Sequence, residues 1–169
     1  MKQDSVPGPD DRSVGAVPTK QSGEAELPEA SASQMVPISE PTHRIRVLLA
    51  DDHALVRHGI MIMLKEEPDI EVIATANNGE EAVELARLKR PDVILMDMSM
   101  PKLSGVEATR IVCSETPDVC IIGLSMFDDV ETTQAMLDAG ATGYVLKSGP
   151  PADLLSAIRM GILASGRSK

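Results

Sequence analysis

The sequence predicts a doubly wound α/β fold, a parallel sheet with helices on both faces. Three observations carry that expectation. From Arg44 onward, five short apolar runs recur at 45–50, 72–76, 93–96, 120–124 and 144–146. Segments with helical spacing separate them, the alternation from which parallel sheets are built. Two runs, Val47-Leu48-Leu49 and Val93-Ile94-Leu95-Met96, are apolar without a break, as strands buried on both faces are.

The elements follow in order. The first run leads into a helix whose stripe is Val56, Ile60, Met63 and Leu64. The second, Glu71-Val72-Ile73-Ala74-Thr75, is more polar and suits a sheet edge. Asn77-Asn78-Gly79 turns the chain into a helix striped by Ala82, Val83 and Ala86. After the third run, Ser104 and Glu107 have capping-box spacing before the stripe of Ala108, Ile111 and Val112. After the fourth run, Asp128 and Glu131 have the same spacing, but the stripe from Val130 to Leu137 is the weakest of the five. Gly140 and Gly143 punctuate the end of that helix. Tyr144-Val145-Leu146 is short, again suiting an edge, and Pro150-Pro151 open a last helix striped by Leu154, Leu155, Ile158 and Ile162.

Residues 1–43 differ in kind. They hold six of the 12 prolines and no aromatic residue. Such a segment buries too little to offset its ordering entropy, so it is expected to be a disordered leader or linker, with the domain at 44–169. The chain of 169 residues carries a net charge of −10, which argues against nucleic-acid binding, since neutralising phosphates needs a basic face. No apolar run approaches the ~20 residues of a membrane span, and no secretory signal opens the chain. Cys113 and Cys120 form no metal-type cluster and fit a reducing compartment, so a cytoplasmic setting is expected.

Open α/β sheets bind ligands beyond the carboxyl ends of their strands. Strand one ends in Asp51-Asp52-His53, strand three in Asp97, strand four in Ser125 and strand five in Lys147. Three carboxylates in one crevice repel each other, and a divalent cation relieves them. Mg²⁺ prefers oxygen ligands and few carboxylates, so Asp52 and Asp97 are expected as direct ligands and Asp51 through water. With Lys147 as balancing charge and Ser125 as hydroxyl, the set suits a phosphoryl group, and Asp97 would be its nucleophile. His53 and His58, five residues apart, do not share a helical face and read as surface or packing residues. The methionines at 61, 63, 96, 98 and 100 read as core and rim filler.

These stretches closely resemble the receiver domain of bacterial two-component response regulators. The resemblance rests on Val47-Leu48-Leu49-Ala50-Asp51-Asp52-His53, Asp97-Met98-Ser99-Met100-Pro101-Lys102-Leu103-Ser104-Gly105, Leu124-Ser125-Met126 and Ala139-Gly140-Ala141-Thr142-Gly143-Tyr144-Val145-Leu146-Lys147. Its flavour is that of regulators with a helix-turn-helix output (NarL/FixJ-like) or of the C-terminal receiver of a hybrid kinase. The resemblance implies a flavodoxin-like (βα)5 sheet of order 2-1-3-4-5. It also implies phosphorylation of Asp97 by a histidine kinase or phosphotransfer domain, with Mg²⁺ or Mn²⁺. Asp51, Asp52, Asp97 and the backbone carbonyl of Ser99 match the family's metal ligands. Ser125 and Tyr144 match its switch residues, and Lys147 its invariant base. Homodimerisation through the fourth helix, fifth strand and fifth helix is a further family expectation.

Two departures stand out. Lys147 is followed by Ser148, where many receivers have a proline in a cis bond. A non-proline cis bond costs ~2.5–4 kcal/mol, so the resemblance does not set the path of that loop. The chain ends at Lys169 with no helix-turn-helix after the fifth helix, so DNA binding is not carried over. The competing reading is a Mg²⁺-dependent aspartyl-phosphate phosphatase or phosphotransferase. That reading wants an acid two residues after the nucleophile, where this chain has Ser99. A flavodoxin-like electron carrier is disfavoured because Asp51-Asp52 would repel a flavin phosphate.

Overall fold

The computed structural model describes residues 43–127 and 129–166. All but the last residue of the expected leader lie outside them. Ten elements alternate: β1 (Ile45–Ala50), α1 (Ala54–Lys65), β2 (Ile70–Ala76), α2 (Gly79–Lys89), β3 (Val93–Asp97), α3 (Gly105–Glu115), β4 (Cys120–Ser125), α4 (Val130–Asp138), β5 (Gly143–Leu146) and α5 (Pro151–Ala164). All strand pairings are parallel, in the order β2-β1-β3-β4-β5. This is the flavodoxin-like sheet that the sequence predicts.

Strand alternation divides the core into two layers. Leu48, Ala50, Ile94, Met96 and Ile121 point to one face, where Ala82, Val83 and Ala86 of α2, Ala108 and Val112 of α3 and Met136 of α4 cover them. Val47, Leu49, Val93, Leu95, Ile122 and Leu124 point to the other, under Leu64 of α1 and Leu154 and Ile158 of α5. Every residue of β3 and β4 is buried, whereas β5 buries none fully, so the apolar runs sort centre from edge. β2 starts two residues before its apolar run. Its register against β1 slips by one between Val47 and Leu48, skipping Ile73.

Local chemistry sets the ends. Ser104 and Glu107 form the expected reciprocal capping box, and Pro151 opens α5 after Pro150. Asn78, expected only to turn the chain, also caps α2 by accepting from the Glu81 N–H. The cap of α4 is Asp129, one residue later than the Asp128–Glu131 spacing predicts. Its carboxylate accepts from the N–H groups of Glu131 and Thr132, and Asp128 lies outside the described residues. Gly140, at φ +108°, closes α4: its N–H donates to Leu137 O, and that of Ala141 to Met136 O. That pair of bonds is a Schellman motif, which requires a left-handed residue where glycine is favoured. Among the described residues, no helix is long and apolar enough to cross a membrane.

Candidate phosphoacceptor site

Because all strands are parallel, their carboxyl ends share one rim, and the residues that follow β1, β3, β4 and β5 meet there. Asp51 is fully buried, and Asp97 and Ser125 are nearly so. Lys147 arrives from the end of β5 with its backbone N–H bonded to Ser125 O at 2.7 Å. Its side chain is only 2% exposed, and Nζ lies 2.9 Å from Asp51 Oδ2 and 2.8 Å from Asp97 Oδ2. None of these three buried atoms makes a further hydrogen bond. The ammonium and the two carboxylates therefore depend on each other.

The backbone holds both acids in place. Asp51 Oδ1 accepts from the His53 N–H at 2.8 Å, and the Asp51 carbonyl accepts from Arg57 Nη1 at 2.5 Å, tying the β1–α1 loop to α1. Asp97 Oδ1 accepts from the Ser99 N–H at 3.2 Å. The loop after β3 then folds back so tightly that a Cβ on Gly105 would lie 1.9 Å from the Asp97 carbonyl oxygen. Only glycine fits there, and the Gly105 N–H bonds Met98 O at 3.1 Å. On the far side, Ser125 Oγ donates to the Phe127 carbonyl at 2.5 Å and accepts from the Phe127 N–H at 3.2 Å. The hydroxyl is thus engaged within its own loop. Tyr144 lies on the edge strand, 40% exposed.

Asp51, Asp52, His53 and Asp97 each offer a ligand atom, all within 4.8 Å of one another, so the cluster is capable of holding a divalent cation. The charges agree: three carboxylates face one ammonium, which leaves a surplus that a divalent ion would neutralise. His53 was not legible as a member. Its Nδ1 lies 2.8 Å from Asp52 Oδ1 and 3.7 Å from Asp51 Oδ1. It also lines, with Asp97, Ser99, Ser125, Phe127 and Lys147, the cleft that opens over the acids.

Burial raises the Asp97 carboxyl above its ordinary range, an effect that Lys147 and the Ser99 N–H only partly offset. A carboxyl whose folded value exceeds its unfolded one contributes stability below the unfolded value and loses it as pH rises through the folded value. In chelator at neutral pH, Asp97→Asn is therefore expected to raise stability. The gain should shrink as pH falls through the upper carboxylate range. Urea unfolding at several pH values checks this, and a pH-independent difference would contradict it.

Residues 47–159 match the family model described as response regulator receiver domain. The chain belongs to that family. It is a receiver domain of the two-component response-regulator class. It is 43% identical over 118 residues to the transcriptional regulatory protein DegU of Brevibacillus brevis, covering 70% of this chain and 50% of DegU. It is 47% identical over 115 residues to the transcriptional regulatory protein LiaR of Bacillus subtilis, covering 68% of this chain and 54% of LiaR. The chain thus spans about half the length of these relatives. Among solved structures, the response regulator domain of Thermotoga maritima CheB superposes with a TM-score of 0.67 at 32% identity, covering 72% of this chain and 98% of that one.

Proposed function

We propose that this receiver takes a phosphoryl group from a histidine kinase or phosphotransfer domain onto Asp97 and converts it into a changed surface at α4, β5 and α5. The observation that carries the reading is the buried Lys147 ammonium shared between Asp51 and Asp97. It orients one Asp97 oxygen and leaves the other toward the cleft, held by the Ser99 N–H. That second oxygen attacks phosphorus, the bond to the donor histidine nitrogen breaks, and the nitrogen keeps the electron pair. Asp51, Asp52, Asp97 and the Ser99 carbonyl are the residues that would hold Mg²⁺ or Mn²⁺, which when bound would neutralise charge on the phosphoryl oxygens. Lys147 contributes its charge from the opposite side, and no proton need move at Asp97 because the nucleophile is the carboxylate.

The phosphoryl group adds up to ~2 negative charges and new acceptors beside Ser125. Ser125 then exchanges the Phe127 carbonyl for a phosphoryl oxygen and draws the β4–α4 loop inward, while Tyr144 turns toward the space it leaves. α4 suits such movement, since it buries only Thr133 and Met136 and leaves Val130 largely exposed. The resulting face would serve homodimerisation. Both of these relatives are transcriptional regulatory proteins about twice as long as the matched region, which supports a receiver of the kind that governs a transcriptional output.

Beryllofluoride with Mg²⁺ mimics the acyl phosphate. It is expected to change amide hydrogen exchange severalfold across Val130–Asp138 and Gly143–Leu146 while leaving α2 unaltered. An unchanged profile in α4 and β5 would contradict the switch.

A further inference from the structure

We infer that His53 is a nitrogen ligand of the cation site and tunes it toward first-row transition ions such as Mn²⁺ and Co²⁺ over Mg²⁺. The inference rests on the metal-assisted phosphoacceptor reading above. Its observation is the seating of the imidazole. Nδ1 lies 2.8 Å from Asp52 Oδ1 and 3.7 Å from Asp51 Oδ1, with a ligand atom of Asp97 in the same cluster. Donors bound ~2.1 Å from a common octahedral ion stand ~3 Å apart when adjacent and ~4.2 Å apart when opposite. The imidazole nitrogen stands at adjacent-ligand spacing from Asp52 Oδ1 and at an intermediate 3.7 Å from Asp51 Oδ1.

Neither capping nor burial claims the ring. His53 occupies the N-cap position of α1, yet its side chain makes no capping hydrogen bond. At 63% exposure it is not held there by burial. At 2.8 Å the Nδ1–Asp52 Oδ1 contact is a hydrogen bond when Nδ1 carries the ring hydrogen, and a bound ion takes that hydrogen's place when Nδ1 presents its lone pair. In the neutral imidazole with its hydrogen on Nε2, the Nδ1 lone pair is directed at the acids and the N–H at solvent. A carboxylate and carbonyl set suits Mg²⁺ and Mn²⁺ alike, whereas an added imidazole favours transition ions over Mg²⁺, which prefers oxygen.

The test compares the wild-type chain and His53→Gln at one fixed pH, titrating Mg²⁺ and Co²⁺ separately by calorimetry. The ratio of Co²⁺ to Mg²⁺ affinity is expected to fall tenfold or more in the variant. Pulsed electron paramagnetic resonance on the Mn²⁺-loaded wild-type chain should show coupling to a ¹⁴N nucleus, lost in His53→Gln. An equal loss of affinity for both ions would make His53 a brace for Asp52, not a ligand, and would overturn the inference, as would no loss at all. Phosphoryl uptake by the wild-type chain from acetyl phosphate and Mg²⁺ separates the two ideas. Uptake with an unchanged affinity ratio sinks the ligand role alone, whereas no uptake with any ion sinks the phosphoacceptor reading beneath it.

Discussion

Lys147→Met is expected to destabilise the metal-free chain by ~3–5 kcal/mol, the usual consequence of stripping one partner from a buried ion cluster. Methionine keeps much of the apolar stem, so the loss reports charge more than volume. The ammonium bridges Asp51 and Asp97 at 2.9 and 2.8 Å. Without it, two buried carboxylates face each other, and one must take up a proton or the loops must open to water. Two companion results follow. Mg²⁺ should restore part of the stability of Lys147→Met, because a cation at the same acids replaces the missing positive charge. Combining Lys147→Met with Asp97→Asn should cost less than Lys147→Met alone, since one of the stranded charges is gone. Urea unfolding in chelator and in Mg²⁺ reads all three. A variant as stable as the wild type in chelator would mean that the ammonium is not the balance assigned to it.

The sheet was legible because β1, β3 and β4 are buried on both faces, and that burial writes unbroken apolar runs into the chain. The parallel arrangement then placed Asp51, Asp97, Ser125 and Lys147 on one rim, since each directly follows or ends a strand. What escaped was set by contacts across the fold. Ile70 belongs to β2 because it pairs with Ile45 of β1, and the strand then skips Ile73 between Val47 and Leu48. Asp128 and Asp129 stand in tandem, and local spacing alone does not decide which one caps α4; in the folded chain it is Asp129.

His53 illustrates the limit best. Spacing to His58 was the visible signal, and it pointed away from a metal. The partners that matter are its own neighbours Asp51 and Asp52 and a carboxylate from β3, far along the chain. The stretch Asp51-Asp52-His53, three potential ligands in a row at a strand end, was the signal that could have found it. Likewise, nothing in the sequence told that the Ser125 hydroxyl would be engaged by the Phe127 backbone.

The second large effect concerns the proposed nucleophile, Asp97. Asp97 stands nearly buried at the end of β3, with one oxygen on Lys147 and the other on the Ser99 N–H. Asparagine preserves its shape and can still accept from the Ser99 N–H, but it has no anionic oxygen to attack phosphorus. Removing the attacking atom should therefore abolish the chemistry while leaving the fold intact. Intact mass after incubation with acetyl phosphate and Mg²⁺ decides the matter. The wild-type chain should gain one hydroxylamine-labile phosphoryl group, lost when Mg²⁺ is chelated beforehand, and Asp97→Asn should gain none. A stable gain in Asp97→Asn, or none in the wild-type chain, would contradict the account.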